Sequence, residues 1–266
     1  MVISIIGCGW FGLSLGRLLV QEGHRVKGAT TTAEKILLLA SEGIEPFLIH
    51  ISPEEEKLDD LSFFQCDVLV ITIPPKVHLH PGTDYLFTLN RLIELAREYC
   101  IKKIIFISST SVYGDVCGPV DEDTLPAPET LSGQILVQAE KRFTSADSFQ
   151  TTVIRFGGLV GPGRDPGRFF AGKENSANGL APVNLIHLDD CIGIVKEVIR
   201  KNFFGHTLNA CSPHHPTRKD FYTHASLQAG LKVPQFINEL TSWKVVNSKY
   251  IPGLLYTDFG FKKWYE

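Results

Sequence analysis

The stretch "IIGCGWFGLSLG", residues 5–16, contains Gly7, Gly9 and Gly12 in G-x-G-x-x-G spacing. An apolar run precedes the glycines, and an amphipathic segment follows them. At these positions the first glycine permits a tight turn, the second lets the backbone approach a diphosphate, and the third allows close helix-strand packing. The helix N-terminus would bind the diphosphate through its free N–H groups. The stretch therefore predicts a strand-turn-helix unit that binds a dinucleotide, with a ligand-free turn as the alternative.

Two aromatic residues, Trp10 and Phe11, occupy the variable positions of this loop. Their backbone amides could contact phosphate while their rings pack over a cofactor or into the core. Both are therefore candidate cofactor-binding residues.

Short apolar runs alternate with helix-like segments through the first half of the chain. Strands are predicted at residues 2–6, 24–29, 45–49, 67–73 and 103–108. Continuously apolar strands that alternate with helices are typical of a parallel sheet covered on both faces. We expect an α/β, Rossmann-like, doubly wound domain over residues 1–155. Residues 156–266 would form a smaller substrate-binding region that partly packs back on the first domain.

The composition excludes several classes of protein. The 266 residues are 44% hydrophobic and carry a formal net charge of −3, which argues against nucleic acid or an anionic membrane as the main partner. The six cysteines include no CxxC pair, which favours reduced thiols and a cytoplasmic location. The N-terminus has no signal-peptide pattern, and no apolar run reaches the roughly 18 residues of a membrane helix.

The segment "KGATTTAEK", residues 27–35, follows the second strand, where NAD-binding proteins place an acidic residue. Here Thr30, Thr31, Thr32 and Lys35 offer hydroxyls and one ammonium instead. Such a site tolerates the 2′-phosphate of NADP, although no arginine clamps it, so NADP is favoured and NAD stays open. Alternatively, Thr31 or Thr32 caps the next helix.

The chain resembles the extended short-chain dehydrogenase/reductase superfamily, in its NAD-dependent epimerase/dehydratase group and as an atypical branch. The resemblance rests on the glycine loop together with "DVLVITIPP" (67–75), "KKIIFISSTSVYGD" (102–115), "VIRFGGLVGPGR" (153–164) and "NLIHLDD" (184–190). It covers nearly the whole chain. It also implies further cofactor contacts by Ile73, Pro74, Ser108, Phe156 and Gly157.

The resemblance implies a serine at Ser109 that binds the substrate oxygen, a catalytic tyrosine, and a lysine four residues later. In "LSGQILVQAEK", residues 131–141, the two latter positions fall on Ser132 and Leu136 when Glu140 is taken as the family's glutamate. Leucine cannot lower a phenol pKa, and a serine hydroxyl is a poor proton donor near neutral pH. We consider Ser109, Ser132 and Tyr113 as catalytic candidates, with a packed turn aromatic as the alternative for Tyr113.

The segment "GPGRDPGRFFAGKENSANGLAP", residues 161–182, is rich in glycine, proline and asparagine and predicts a mobile surface loop near a site. Arg164, Arg168, Phe169 and Phe170 would give a substrate lid cationic and apolar contacts. Solvated loop charges are the alternative.

Several histidines invite a functional role. His187, Asp189 and Asp190 predict a helix start with an aspartate cap rather than a catalytic group. His78 and His80 could share a strand face as metal ligands, but no third ligand follows at a diagnostic spacing, so no metal is expected. The pair at 214–215 predicts an exposed turn.

Two functions remain open. The first is an NADP-dependent oxidoreductase or epimerase-like enzyme acting on a small carbonyl, hydroxyl or sugar-nucleotide-like substrate. The second is a non-catalytic NADP-binding regulatory or interaction protein. The helix at 131–145 is compatible with a homodimer interface and equally with burial in the core.

Overall fold

The computed structural model describes residues 1–58, 60–75, 77 and 82–261. Strands and helices alternate along most of the chain, as the sequence predicts. The strands are β1 (Val2–Ile6), β2 (Arg25–Thr30), β3 (Glu45–Ile51), β4 (Glu56–Leu58), β5 (Val68–Ile71), β6 (Lys103–Ser109), β7 (Gly118–Val120), β8 (Gln150–Phe156), β9 (Gly158–Val160), β10 (Leu185–His187), β11 (Thr207–Ala210) and β12 (Lys244–Val246). The helices are α1 (Trp10–Gln21), α2 (Ile36–Ser41), α3 (Gly82–Glu98), α4 (Leu131–Thr144), α5 (Gly167–Phe170), α6 (Leu188–Arg200) and α7 (Arg218–Gln228).

Eight strands form the main sheet in the order β11-β8-β6-β5-β1-β2-β3-β4. β1 pairs in parallel with β2 and β5, β2 with β3, and β5 with β6, whereas β4 is antiparallel to β3. The chain builds outward from β1 in one direction and then returns to build in the other, so the switch point lies between β1 and β5. The predicted α/β, Rossmann-like, doubly wound sheet is confirmed.

The predicted strand bounds agree closely with the structure. β1 covers the predicted residues 2–6, and the other four predicted strands overlap β2, β3, β5 and β6 with shifts of one or two residues at their ends. All four residues of β5 are buried, and its register aligns Ile3 with Val68 and Ile6 with Ile71. Burial on both faces explains why the sequences of these strands are continuously apolar.

The chain divides into two compact units. The first unit comprises residues 1–108, 128–154 and 195–207, and contains most of the main sheet. Its core includes Phe63, which is fully buried and makes edge-to-face contacts with Phe47 and Phe64. In this unit α3 packs against α4, and a Cβ atom at Gly82 would lie 2.0 Å from Ile135 Cδ1.

The second unit comprises residues 109–127, 155–194 and 208–266. It contains two small parallel pairs, β9 with β10 and β7 with β12. Its core cluster consists of Val160, Val183, Leu185, Phe221 and Phe261. Within this cluster the Phe221 and Phe261 rings are stacked with centroids 5.8 Å apart, so the C-terminal segment contributes directly to the core.

The segment 161–182, predicted as a mobile surface loop near a site, contains local structure and hydrogen bonds to distant residues. It contains the short helix α5, and Gly172 N donates to Lys232 O while Ser176 N donates to Gln235 O. The Asn178 side-chain oxygen accepts hydrogen bonds from Thr241 N and Thr241 Oγ1. These partners are at least 50 residues away in sequence, which is why composition alone did not reveal them.

Candidate functional site

The glycine loop between β1 and α1 needs two of its glycines for its own structure. Gly7 has φ +98°, and a Cβ atom there would lie 2.7 Å from Thr72 Oγ1. A Cβ atom at Gly12 would lie 2.5 Å from Gly7 O. Side chains at these positions would therefore clash with the neighbouring strand end or with the turn itself.

The middle glycine is different. Gly9 has φ −87°, a value open to any residue, and it is exposed. A Cβ atom at Gly9 would meet no atom nearer than Gly7 O at 4.0 Å. Neither backbone conformation nor packing among the described residues requires a glycine here. The room in front of Gly9 is the space that a diphosphate would need for close approach to the backbone.

The N-terminus of α1 lies beside this space. Gly9 precedes the helix, provides no side-chain cap, and no acidic residue stands in the first turn. The first N–H groups of a helix have no partner within the helix, and its dipole favours an anion there. Trp10 is half-buried at the start of α1, whereas Phe11 is buried among core residues.

Thr72 is a contributor that the sequence did not indicate. It follows β5, and its Oγ1 lies 2.6 Å from Gly7 O and 3.1 Å from Ile6 O. The hydroxyl therefore ties the end of β5 to the first turn of the glycine loop. Its only sequence signal is a polar residue within "ITIPP", next to an apolar strand.

In the threonine segment after β2, one side chain is hydrogen-bonded within the protein and several others are exposed. Thr30 is buried, and its Oγ1 accepts a hydrogen bond from Thr32 N. Thr31, Thr32 and Lys35 are exposed. Thr32 precedes a 3₁₀ turn at Ala33–Lys35, but its side chain makes no capping hydrogen bond. The alternative that a threonine hydroxyl caps this element therefore does not apply to Thr32.

Lys35 acts electrostatically on the glycine loop. Burial raises the pKa of the Cys8 thiol to about 12, while a backbone hydrogen bond with Ala29 and the positive charge of Lys35 lower it. The ammonium of Lys35 is thus one of the charges that the residue between Gly7 and Gly9 experiences. An anion bound at this loop would experience the same favourable charge.

Other groups near the ends of β5 and β6 are engaged within the first unit. Tyr85 Oη donates to Ile73 O at 3.1 Å, just before Pro74. Ser108 is buried, and its Oγ donates to Glu140 Oε1 at 2.6 Å. Burial and the negative charge of Glu140 raise the pKa of Tyr85. The hydroxyl of Ser108 thus donates a hydrogen bond to a buried carboxylate within the protein.

The first turns of α4 carry the two positions where the resemblance implies tyrosine and lysine. Thr130 caps the helix, with its Oγ1 accepting from Gly133 N at 3.1 Å. Ser132 is half-buried in the first turn, and Leu136 is only 4% exposed. The side chain at the position where the resemblance implies a lysine is therefore apolar and buried.

In the second unit, Ser109 and Tyr113 both have structural partners. Ser109 Oγ accepts from Ser111 N and caps a short 3₁₀ turn. Tyr113 is buried, and its Oη lies 2.8 Å from Asp121 O and 3.0 Å from Asn209 Oδ1.

The buried Arg155 completes this cluster. Its Nη1 donates to Tyr113 Oη at 2.6 Å, and its guanidinium carbon lies 5.0 Å from the Tyr113 ring centroid. Burial raises the pKa of Tyr113, and the charge of Arg155 partly offsets this effect. These contacts fit the alternative of a packed turn aromatic.

The "HLDD" segment starts α6, as predicted, but the predicted aspartate cap is wrong. Both Asp189 and Asp190 lie within the helix, and Asp189 N donates to His187 Nδ1 at 3.3 Å. Asp190 is fully buried, and its carboxylate accepts from Gly260 N, Phe261 N and Tyr256 Oη. It binds the C-terminal segment instead of the helix start.

The residues at the end of β8 and directly after it pack tightly. Phe156 is buried, and Gly157 N donates to Ala210 O at 2.9 Å. A Cβ atom at Gly157 would lie 2.9 Å from Asn184 O, so glycine is required by packing at this position.

A cavity of about 390 Å³ lies in the second unit at the start of the segment 161–182. It is lined by Gly161, Pro162, Gly163, Asp165, His187, Ala225, Gln228 and Ala229. Arg164 is exposed beside this turn, and its charge acts on Cys191 in α6. Arg168 and Phe169 are exposed on α5, with Arg168 Nε 3.8 Å from Asp165 Oδ2. The polar side chains that line this cavity could orient a small ligand.

Within residues 1–58, 60–75, 77 and 82–261, no group of three or more His, Cys, Asp or Glu side chains could hold a metal ion. His78 and His80 lie outside the described residues. The exposed turn predicted at 214–215 is wrong, because both histidines are half-buried and His215 Nδ1 lies 2.9 Å from Val183 O. All six cysteines are free.

Among the described residues, no helix combines the length and the apolar character that crossing a membrane requires.

Comparisons with known proteins agree with the architecture. Residues 83–194 match the model of the NAD dependent epimerase/dehydratase family. Protein YeeZ of Escherichia coli (strain K12) is 39% identical over 269 residues, spanning 99% of this chain and 96% of that protein.

Solved structures share the fold at low sequence identity. A functionally unknown conserved protein from Silicibacter pomeroyi DSS has a TM-score of 0.75 at 24% identity, over 94% of this chain and 90% of that one. A UDP-glucuronic acid 4-epimerase from Bacillus cereus, solved in complex with NAD, has a TM-score of 0.77 at 20% identity, over 96% and 92%. The sheet order, the glycine loop and these matches together show that the chain belongs to the NAD-dependent epimerase/dehydratase family of extended short-chain dehydrogenases/reductases.

Proposed function

We propose that the chain binds a nicotinamide dinucleotide, NADP(H) in preference to NAD(H), at the glycine loop. It would act on a small carbonyl, hydroxyl or sugar-nucleotide-like compound without a Tyr-x-x-x-Lys pair. The observation that carries the proposal is Gly9, an exposed glycine that neither its backbone conformation nor its packing explains. A ligand that must approach the backbone supplies the missing reason.

Each part of the cofactor has matching groups. The N–H groups at the start of α1 would bind the diphosphate, and Thr72 holds the Gly7 carbonyl so that the turn keeps its shape. Thr31, Thr32 and Lys35 would contact the 2′-phosphate, for which an ammonium and hydroxyls are suitable partners. When bound, the nicotinamide would accept or donate a hydride.

On the substrate side, Ser109 would bind the reacting oxygen, and Ser132 or water would carry the proton. Arg164, Arg168 and Phe169, exposed in the 161–182 segment, would contact an anionic or apolar part of the substrate. Tyr113 would position its turn through Arg155 and Asn209. The remaining substrate contacts would therefore lie within residues 156–266.

A second candidate function is a non-catalytic dinucleotide-binding protein whose ligand state a partner protein reads. Leu136 favours it, because a buried leucine supplies no charge on the helix where the resemblance implies a lysine. The engaged hydroxyls of Ser108 and Tyr113 favour it too.

The test compares Gly9→Ala with Gly12→Ala by calorimetric titration with NADPH and NADH. We expect wild type to bind NADPH more tightly than NADH. Gly9→Ala should weaken NADPH binding at least tenfold and change the free energy of unfolding by about 1 kcal/mol or less. Gly12→Ala should destabilise the fold, because its Cβ clashes with Gly7 O. Undiminished binding by Gly9→Ala would contradict the proposal.

A carbonyl-reduction screen with NADPH would then separate the two candidate functions. Turnover that Ser109→Ala abolishes would favour the enzyme, and its absence across substrates despite tight NADPH binding would favour the non-catalytic protein.

A further inference from the structure

Polar groups are distributed unequally along the carboxyl edge of the sheet in the first unit. On the β2 side of β1, the side chains of Thr31, Thr32 and Lys35 are exposed. Over the described part of the chain, these three side chains make no hydrogen bond to another residue. They are therefore available to a ligand.

On the β5 and β6 side of the first unit, three hydroxyl groups already donate to acceptors within the protein. Thr72 Oγ1 bonds to Gly7 O and Tyr85 Oη bonds to Ile73 O. Ser108 Oγ donates to the buried carboxylate of Glu140 at 2.6 Å. A hydroxyl that donates to an internal acceptor would have to break that bond before it could donate to a ligand, at a cost that offsets the gain.

The sheet topology relates this asymmetry to the two halves of a dinucleotide. The switch point lies between β1 and β5, and the diphosphate would rest on α1 between the two sides. The adenosine half then lies over β2, where NAD-binding sheets contact its ribose, and the nicotinamide riboside extends towards β5 and β6.

We propose that this site takes its affinity from the adenosine 2′-phosphate 5′-diphosphate half of the ligand and gains little from the nicotinamide riboside. The inference rests on the proposed dinucleotide binding. Its consequence is that the protein binds NADPH, NADP⁺ and nucleotides without nicotinamide with similar affinity, and so does not distinguish the redox state of the pool.

Calorimetry with three ligands tests this on the full chain. The ligands are NADPH, NADP⁺ and adenosine 2′-phosphate 5′-diphosphate, which lacks the nicotinamide riboside. We expect their dissociation constants to agree within about threefold, since one charge-assisted contact to the missing part would already produce a difference of roughly tenfold. Binding of NADPH more than tenfold tighter than the fragment would overturn the inference.

Matched lysine variants provide a second readout. Lys35→Ala should weaken the binding of all three ligands by a similar factor, about tenfold. Lys57→Ala, which removes another exposed lysine of the same unit, should leave them unchanged. Loss of NADPH affinity in Lys35→Ala without an equal loss for the fragment would contradict the inference. If wild type binds none of the ligands, the proposed function itself fails, an outcome distinct from tight binding of NADPH alone.

Discussion

Three glycines share one loop, yet they are required for different reasons. Gly7 needs its positive φ, and Gly12 needs the absence of a side chain against Gly7 O. Gly9 needs neither, so its role lies outside the described contacts of the protein. The G-x-G-x-x-G spacing predicts all three roles, but only the atomic contacts separate the two structural glycines from the one for which we propose a ligand.

At the residue scale, Thr72→Val tests the tie between β5 and the glycine loop. Valine keeps the shape but loses the hydrogen bonds to Gly7 O and Ile6 O. We expect a loss of about 1–2 kcal/mol in the free energy of unfolding and weaker NADPH binding. Urea denaturation and calorimetry measure the two effects. Thr72→Ser should restore both, and wild-type affinity in the valine variant would show that the tie does not shape the site.

At the scale of elements, the sequence predicts the strands whose apolar pattern is local. β1, β2, β3, β5 and β6 carry continuous apolar runs, and their predicted bounds agree within one or two residues. The hydrogen bonds of the segment 161–182 to residues 232–242 are not predicted, because no local pattern shows them.

For the same reason, the sequence predicts only part of the candidate site. The sequence shows the loop glycines and the threonines, whereas the bonds Thr72–Gly7 and Ser108–Glu140 join residues 65 and 32 positions apart. The predicted aspartate cap is wrong for the same reason, since the partners of Asp190 lie about 70 residues later.

The attachment of the C-terminal segment to α6 has a predicted pH dependence. Burial raises the pKa of Asp190 above its ordinary value of 3.8, against the lowering effects of Gly260 N–H, the Tyr256 hydroxyl, Phe261 N–H and the charge of His187. The folded protein therefore binds this proton more tightly than the unfolded chain. Its contribution to stability is largest below pH 3.8 and is lost as the pH rises through the raised pKa.

Urea denaturation of wild type and Asp190→Asn at several pH values measures this contribution. The difference in free energy of unfolding, wild type minus variant, should grow as the pH falls from 7 to 4, because the asparagine does not titrate. Tyr256→Phe keeps the carboxyl group and should retain a pH dependence of the same sign. A difference that is constant or shrinks towards acid pH would contradict the burial of an ionisable Asp190.

At the scale of the whole molecule, the chain has the fold of its family and a buried leucine in α4. The sheet and glycine loop belong to the NAD-dependent epimerase/dehydratase family, whereas Leu136 stands where the resemblance implies a charged partner. The proposed dinucleotide binding would depend on the glycine loop and tyrosine-driven catalysis on α4, so the two functions could be separated in this chain.

Hydrogen–deuterium exchange of the full chain, with and without saturating NADPH, tests the central claim most directly. If NADPH binds at the glycine loop, peptides covering residues 7–13 and 30–36 should exchange more slowly in its presence, and Gly9→Ala should remove this protection. Unchanged exchange in both peptides at saturating NADPH would contradict the account.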